Sequence, residues 1–268
     1  MTIDYARARE LMVEQQVRPW DVLDMAVLDV IGRLPREAFV AEQHQALAYA
    51  DIELPLGHGE KMMKPVVEGR ALQALQLRPG DSVLEVGTGS GYLSACLGML
   101  AREVVSLELV PELAAAARAR LDATGLGNNV RIEVADALRY DGSRQFDAVC
   151  VTGAVAEVPE RFLQWLRPGG RLFVVRGRRP AMEAVLVRRD PDAVNGILVE
   201  SLFETELPYL VGAAPAPRGD QPRLVGEHNR LRPIPQPQLA QDPTDVDAHR
   251  PLSHRQVPAD AFVGQPAG

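Results

Sequence analysis

The sequence predicts an α/β protein with a doubly wound, mostly parallel seven-stranded sheet, an antiparallel edge pair and a helical amino-terminal subdomain. Three observations carry this expectation. Short apolar runs alternate with helical stretches from residue 70 to residue 206, the pattern of parallel strands covered on both faces. The buried-strand run Ser82-Val83-Leu84-Glu85-Val86 leads straight into Gly87-Thr88-Gly89-Ser90-Gly91 and then into a helical segment. The last two candidate strands, 184–188 and 197–206, have no helix between them, so they are expected to pair antiparallel through a turn near 190–196.

Taken in order, Leu11, Met12, Val17, Val22, Met25, Val27, Leu28 and Ile31 recur at three- and four-residue spacing, predicting two short helices separated at Pro19. Prolines and glycines over 33–40 and 49–65 predict an irregular, loop-rich region, which completes a helical and lid subdomain over 1–69. A helix over 70–76 stops at Arg78-Pro79-Gly80 and opens the main domain, 70–214. Its strands are expected at 82–86, 104–108, 130–134, 146–151, 171–175, 184–188 and 197–206. Its helices are expected at 92–100, 111–123 and 160–166. Over 215–268 the periodicity is lost, and ten of the chain's 21 prolines fall there, which predicts a disordered proline-rich tail.

Composition narrows the function. At 268 residues the chain has room for one catalytic domain and an appendage. A net charge of −7 argues against a broad basic surface for nucleic acid or anionic membrane. No apolar run reaches the length of a membrane span. The start Met1-Thr2-Ile3-Asp4-Tyr5 has an acid where a signal peptide would be basic. Cys96 and Cys150 fall within a predicted helix and strand and read as buried thiols. The cytoplasm is the expected compartment, and oligomeric state is not legible. No metal is expected, because His228, His249 and His254 sit in the tail without ligand spacing.

The glycine loop carries the chemistry. A strand that ends in such a loop and opens a helix presents backbone N–H groups to a nucleotide-like ligand. The dinucleotide fingerprint has its third glycine three residues after the second, whereas here the spacing is Gly87-x-Gly89-x-Gly91. That spacing suits S-adenosylmethionine, which offers a sulfonium and an amino-acid end rather than phosphates. Expected cofactor-binding residues are Glu85, Gly87, Thr88, Gly89, Ser90, Gly91 and Tyr92, with Glu85 as the carboxylate beside the cation and Tyr92 either on the cofactor or in the core. Glu108 closes the second strand, where a carboxylate can accept both ribose hydroxyls. Asp136, followed by Ala137, closes the third and is placed for the adenine amino group.

With their flanks these residues resemble the protein-L-isoaspartate O-methyltransferase family over about residues 5–214. The resemblance rests on Val83-Leu84-Glu85-Val86-Gly87-Thr88-Gly89-Ser90-Gly91-Tyr92, Leu34-Pro35-Arg36-Glu37-Ala38-Phe39-Val40, Ala48-Tyr49-Ala50-Asp51 and Leu54-Pro55-Leu56-Gly57. It continues at Val151-Thr152-Gly153-Ala154, Leu166-Arg167-Pro168-Gly169-Gly170 and Leu207-Pro208-Tyr209-Leu210-Val211-Gly212. It implies a Rossmann-like methyltransferase fold, S-adenosylmethionine as cofactor, and a protein or peptide substrate with isoaspartyl residues, methylated in protein repair. In that family a Thr-Ile-Ser-x-Pro segment covers the cofactor and its serine belongs to the active site. Here the segment reads Lys61-Met62-Met63-Lys64-Pro65, with Met63 at the serine position.

A carboxylate acceptor is deprotonated at neutral pH, its reference pKa being near ~4, so no general base is required and catalysis rests on orientation. A hydroxyl acceptor would need a base, for which His58 is the nearest candidate. The altered lid keeps a second reading open: a methyltransferase-fold, cofactor-binding protein with another acceptor or little activity.

Overall fold

The computed structural model describes residues 3–216, so the tail predicted over 215–268 lies, apart from its first two positions, outside the described residues. Helix α1 (Tyr5–Met12) is capped by Asp4, whose side chain accepts the Arg7 amide at 3.0 Å. It runs on as a wider π turn, Val13–Val17, and a tight turn, Arg18–Trp20. Pro19 therefore closes the first helix rather than standing between two, and the break falls at Asp21, whose φ is 61°. Helix α2 (Met25–Arg33) follows, with Asp24 as its cap.

The stretches expected to be irregular hold a short 3₁₀ turn, Arg36–Phe39, and a small hairpin, β1 (Leu54–Gly57) with β2 (Glu60–Met62), and between them runs a second 3₁₀ turn, Glu42–Leu47. Gly57, His58 and Gly59 form the hairpin tip with φ of 91°, 55° and 82°. Strands this short carry too little alternation to register as strands in a sequence. Helix α3 (Pro65–Leu75) begins on a proline at its first position. It starts five residues before the predicted one, so the boundary expected at 69/70 falls inside a helix.

From there the alternation is as expected: β3 (Ser82–Val86), α4 (Tyr92–Leu100), β4 (Glu103–Glu108), α5 (Pro111–Thr124), β5 (Val130–Val134), β6 (Phe146–Val155), α6 (Glu160–Gln164), β7 (Leu166–Arg178), β8 (Ala181–Arg189) and β9 (Ile197–Glu204). The sheet order is β5-β4-β3-β6-β7-β8-β9. The first five in space are parallel, while β8 and β9 are antiparallel at the edge. Strand order reverses at β3, which has β4 on one side and β6 on the other. Helix α6 is shorter than predicted because Leu166 is taken by the sheet, opposite Phe146.

Met12, Val17, Ile31, Phe39, Leu54 and Met63 share one buried cluster with Val83, Tyr92 and Phe173, so the amino-terminal elements have no separate core. They approach α3 at Gly69, where an added Cβ would lie 3.0 Å from Val17 Cγ1 and 3.2 Å from Val22 Cγ2. Gly69→Val is accordingly expected to lower the unfolding free energy by about 1–3 kcal/mol through overpacking, read as a lower urea midpoint with an unchanged slope.

Candidate active site

The carboxyl ends of β3, β4, β5 and β6 open onto a cleft at the point where strand order reverses, the place where open α/β sheets bind ligands. The space along it, open solvent included, is about 860 Å³. Its floor includes Gly87, Gly89 and Thr152. One wall is Glu108, Leu109, Asp136 and Ala137, another the segment 207–211, and the hairpin and the residue that follows it cover the cleft with Leu56, Lys61 and Met63. A smaller adjoining cavity reaches under the lid and is lined by Met62, Met63, Glu68, Thr88, Ser90 and Leu93.

The loop's glycines are required by contact. Gly87 has φ 92°, and a Cβ there would run into the Thr152 hydroxyl. That hydroxyl donates to the carbonyls of Val86 and Gly87 at 3.0 and 2.8 Å, so β6 braces the loop. Gly91, with φ 87°, lies where a Cβ would be 3.2 Å from Ala117 on α5. It shapes the turn and lines neither cavity. Thr88 bonds Ser106 at 2.6 Å, and Ser90 Oγ accepts the Tyr92 amide at 3.1 Å.

Glu108 is the acid that faces the cleft. It is only 5% exposed, and its two oxygens accept the amides of Gly89 at 2.8 Å and Val110 at 3.0 Å. A carboxylate has about four acceptor sites, so capacity for two hydroxyls remains. Asp136 lines the same wall while accepting the Leu138 amide at 2.9 Å.

Two of the expected cofactor residues stand away from the cleft lining. Glu85 does not line the cleft: it is fully buried beneath the loop, taking hydroxyl donation from Ser94 and, at 2.5 Å, from Ser106. Burial pushes its carboxyl up to about 8, hydroxyl donation notwithstanding. Negative charge at the cleft comes instead from Glu53, Glu60, Glu108 and Asp136; partial burial, with Glu108 nearby, raises the Glu60 carboxyl. Tyr92 does not line it either. Its ring is buried against Phe39, edge-on at 5.6 Å, and beneath the Arg36 guanidinium at 4.7 Å.

His58 sits exposed at the hairpin tip, outside the cleft lining. Among the described residues no group of three His, Cys, Asp or Glu side chains is placed to hold a metal, and no helix is long and apolar enough to cross a membrane. Among the described residues, Lys61 is the one cation lining the cleft, and it pairs with Glu53 at 3.0 Å. Lys64 is exposed. Thr152, Leu109 and Leu210 also line the cleft, and being neither loop glycines nor strand-end acids they carry no signal of it in the sequence. Leu210 reaches the cleft because the segment after β9 returns alongside β6, with the Leu210 amide donating to Ala154 at 2.9 Å.

A doubly wound sheet with this loop and these strand-end acids defines a class I methyltransferase fold. The family model described as protein-L-isoaspartate(D-aspartate) O-methyltransferase matches residues 7–203, and the chain belongs to that family. It is 36% identical to protein-L-isoaspartate O-methyltransferase 1 of Rhodopseudomonas palustris (strain HaA2) over 228 residues, 82% of this chain and 92% of that protein. It is 41% identical to the protein-L-isoaspartate O-methyltransferase of Methylorubrum populi over 191 residues, 70% and 88% of the two chains. The same fold is seen in the Plasmodium falciparum beta-aspartate methyltransferase solved with S-adenosyl-L-homocysteine: TM-score 0.66, 20% identity, 78% of this chain and 99% of that one.

Two outcomes are expected. Glu108→Ala raises the S-adenosylmethionine Kd at least about tenfold by calorimetry, since hydrogen bonds to a charged group contribute about 1.5–3 kcal/mol. Glu85 holds its proton to about 8 in the fold against the ordinary 4.5. Its contribution to stability is therefore complete below the unfolded pKa and lost as pH rises through the folded one. Glu85→Gln removes that loss, so its Tm falls less than that of wild type between about pH 5 and pH 8.

Proposed function

We propose that this protein transfers the methyl group of S-adenosylmethionine to the carboxylate of isoaspartyl residues in proteins or peptides, as an enzyme of protein repair. The observation that carries this reading is the division of the cleft. Its inner half is built of close-passing backbone and carboxylates, and its outer half is the hairpin side, where Leu56 and Met63 stand beside Glu60 and Lys61.

The residues present fit the donor. The Gly87 backbone lines the cleft and is braced there by Thr152, Glu108 keeps acceptor capacity at the second strand end, and Asp136 and Ala137 bound the third. In this assignment Gly87 and Gly89 let the backbone approach the amino-acid end, Glu108 holds the ribose hydroxyls, and Asp136 meets the adenine amino group. The ring of carboxylates favours a cationic ligand. When bound, S-adenosylmethionine supplies an electrophilic methyl group on a positively charged sulfur.

What this chain's residues then do is orient and exclude water. An isoaspartyl carboxylate arrives ionised, so no proton has to move, and the work lies in holding one oxygen in line with the methyl–sulfur bond. Leu56 and Met63 cover the cleft from the hairpin side, with Met63 only 6% exposed. Lys61 offers the cationic contact for an anionic acceptor. Buried free thiols at Cys96 and Cys150 support a reducing, cytoplasmic setting.

The test uses methyl-labelled cofactor with an isoaspartyl peptide and its aspartyl counterpart. Base-labile label on the isoaspartyl peptide alone is expected. Cofactor binding without transfer to that peptide would reject the proposed acceptor and favour the second reading, a cofactor-binding protein with another acceptor or little activity, in keeping with Met63 at the position where the family carries serine.

A further inference from the structure

Arg36 is fully buried, and it sits where three elements meet. It belongs to the 3₁₀ turn Arg36–Phe39 that follows α2. One guanidinium nitrogen pairs with the carboxylate of Glu68, in the first turn of α3. Another donates to the carbonyl of Met63 at 2.7 Å. Its face lies 4.7 Å from the centre of the Tyr92 ring, at the start of α4. The side chain that orders the lid thus comes from outside both the hairpin and the cofactor loop.

Burying such a pair brings little net stability, because the desolvation of two ions offsets their attraction, and apolar replacements are often neutral or better. What an apolar pair cannot do is satisfy the carbonyl of Met63. That residue lies between the end of β2 at Met62 and the start of α3 at Pro65, outside any regular ladder. An unpaired carbonyl there would be costly. The fork geometry of arginine lets one group hold Glu68 and Met63 at once. Met63 in turn lines both the main cleft and the smaller cavity beneath the lid, and Glu68 lines the smaller one.

We propose that Arg36, locked by Glu68 and Tyr92, is the positioning residue of the methyl-transfer site: it fixes the Met63 backbone and so sets the wall against which the acceptor is seated. The role rests on the reading of the cleft as a methyl-transfer site, yet part of its test is independent of activity. In a chain whose lid position 63 carries no hydroxyl, backbone placement is what orients the acceptor.

Two variants separate anchoring from folding. Arg36→Lys keeps a positive charge for Glu68 but lacks the fork that reaches Met63. Arg36→Met combined with Glu68→Leu removes both buried charges together, so neither is left unpaired. In each, hydrogen exchange at the amides of residues 60–64 is expected to quicken at least about tenfold, local opening being set by local contacts. S-adenosylmethionine Kd should stay within about threefold, and kcat/KM for the isoaspartyl peptide should drop at least about thirtyfold, a loss specific to orientation. Folded variants with wild-type exchange at 60–64 would overturn the proposal. So would cofactor affinity and Tm collapsing in step with transfer in both variants, the mark of a structural role alone. If the wild-type protein methylates no isoaspartyl peptide, the acceptor assignment fails, while the exchange measurement still decides whether Arg36 holds the lid.

Discussion

The reversal of strand order at β3 is the constraint from which the rest follows. With β4 on one side and β6 on the other, the right-handed crossovers that leave β3 through α4 and its neighbour β6 through α6 run to opposite faces of the sheet and part above the carboxyl ends of these two strands. The loop that fills this opening must turn sharply, pass close to β6 and start α4 within a few residues. Gly87 meets the middle requirement because the Thr152 hydroxyl occupies the space of its missing side chain. Gly91 allows the left-handed turn into the helix. The cleft is a consequence of the topology, and its chemistry is added by the residues that line it.

Charge is distributed there by depth. Glu85 and Glu108 are both carboxyls at the ends of adjacent strands, and both are buried, yet they differ in role. Glu108 accepts two backbone amides and borders the cleft. Glu85 meets only hydroxyls beneath the loop, and desolvation keeps its proton. A cationic ligand is thus met by the outer acids, while the inner one helps to hold Ser94 on α4 and Ser106 on β4 in place. The lid is ordered in a different way, through a cation brought in from the amino-terminal segment.

Much of this was legible in the sequence. Parallel strands buried on both faces read as continuous apolar runs, so the strand-helix alternation and the edge pair follow from composition along the chain. Gly87, Gly89, Glu108 and Asp136 follow from loop spacing and from the rule that ligands gather at strand ends. Glu85 and Tyr92 are placed differently because position in a motif does not state which way a side chain points: one turns beneath its loop and the other into the core against Phe39. The hairpin escaped notice because its strands are four and three residues long. Arg36 could not be read as part of the lid, since its partner Met63 lies 27 positions away in the chain and nothing local marks the contact.

The central claim is that strand-end carboxylates and an Arg36-held lid together form one methyl-transfer cleft. It is tested most directly by a crystal structure of the protein with S-adenosylhomocysteine and an isoaspartyl peptide. The account predicts ribose hydroxyls on Glu108, Glu85 out of contact with the ligand, and the peptide carboxylate seated against the Met63 segment with the bond from Arg36 to its carbonyl intact. A ligand bound away from Glu108, or a peptide seated elsewhere with that bond broken, would contradict it.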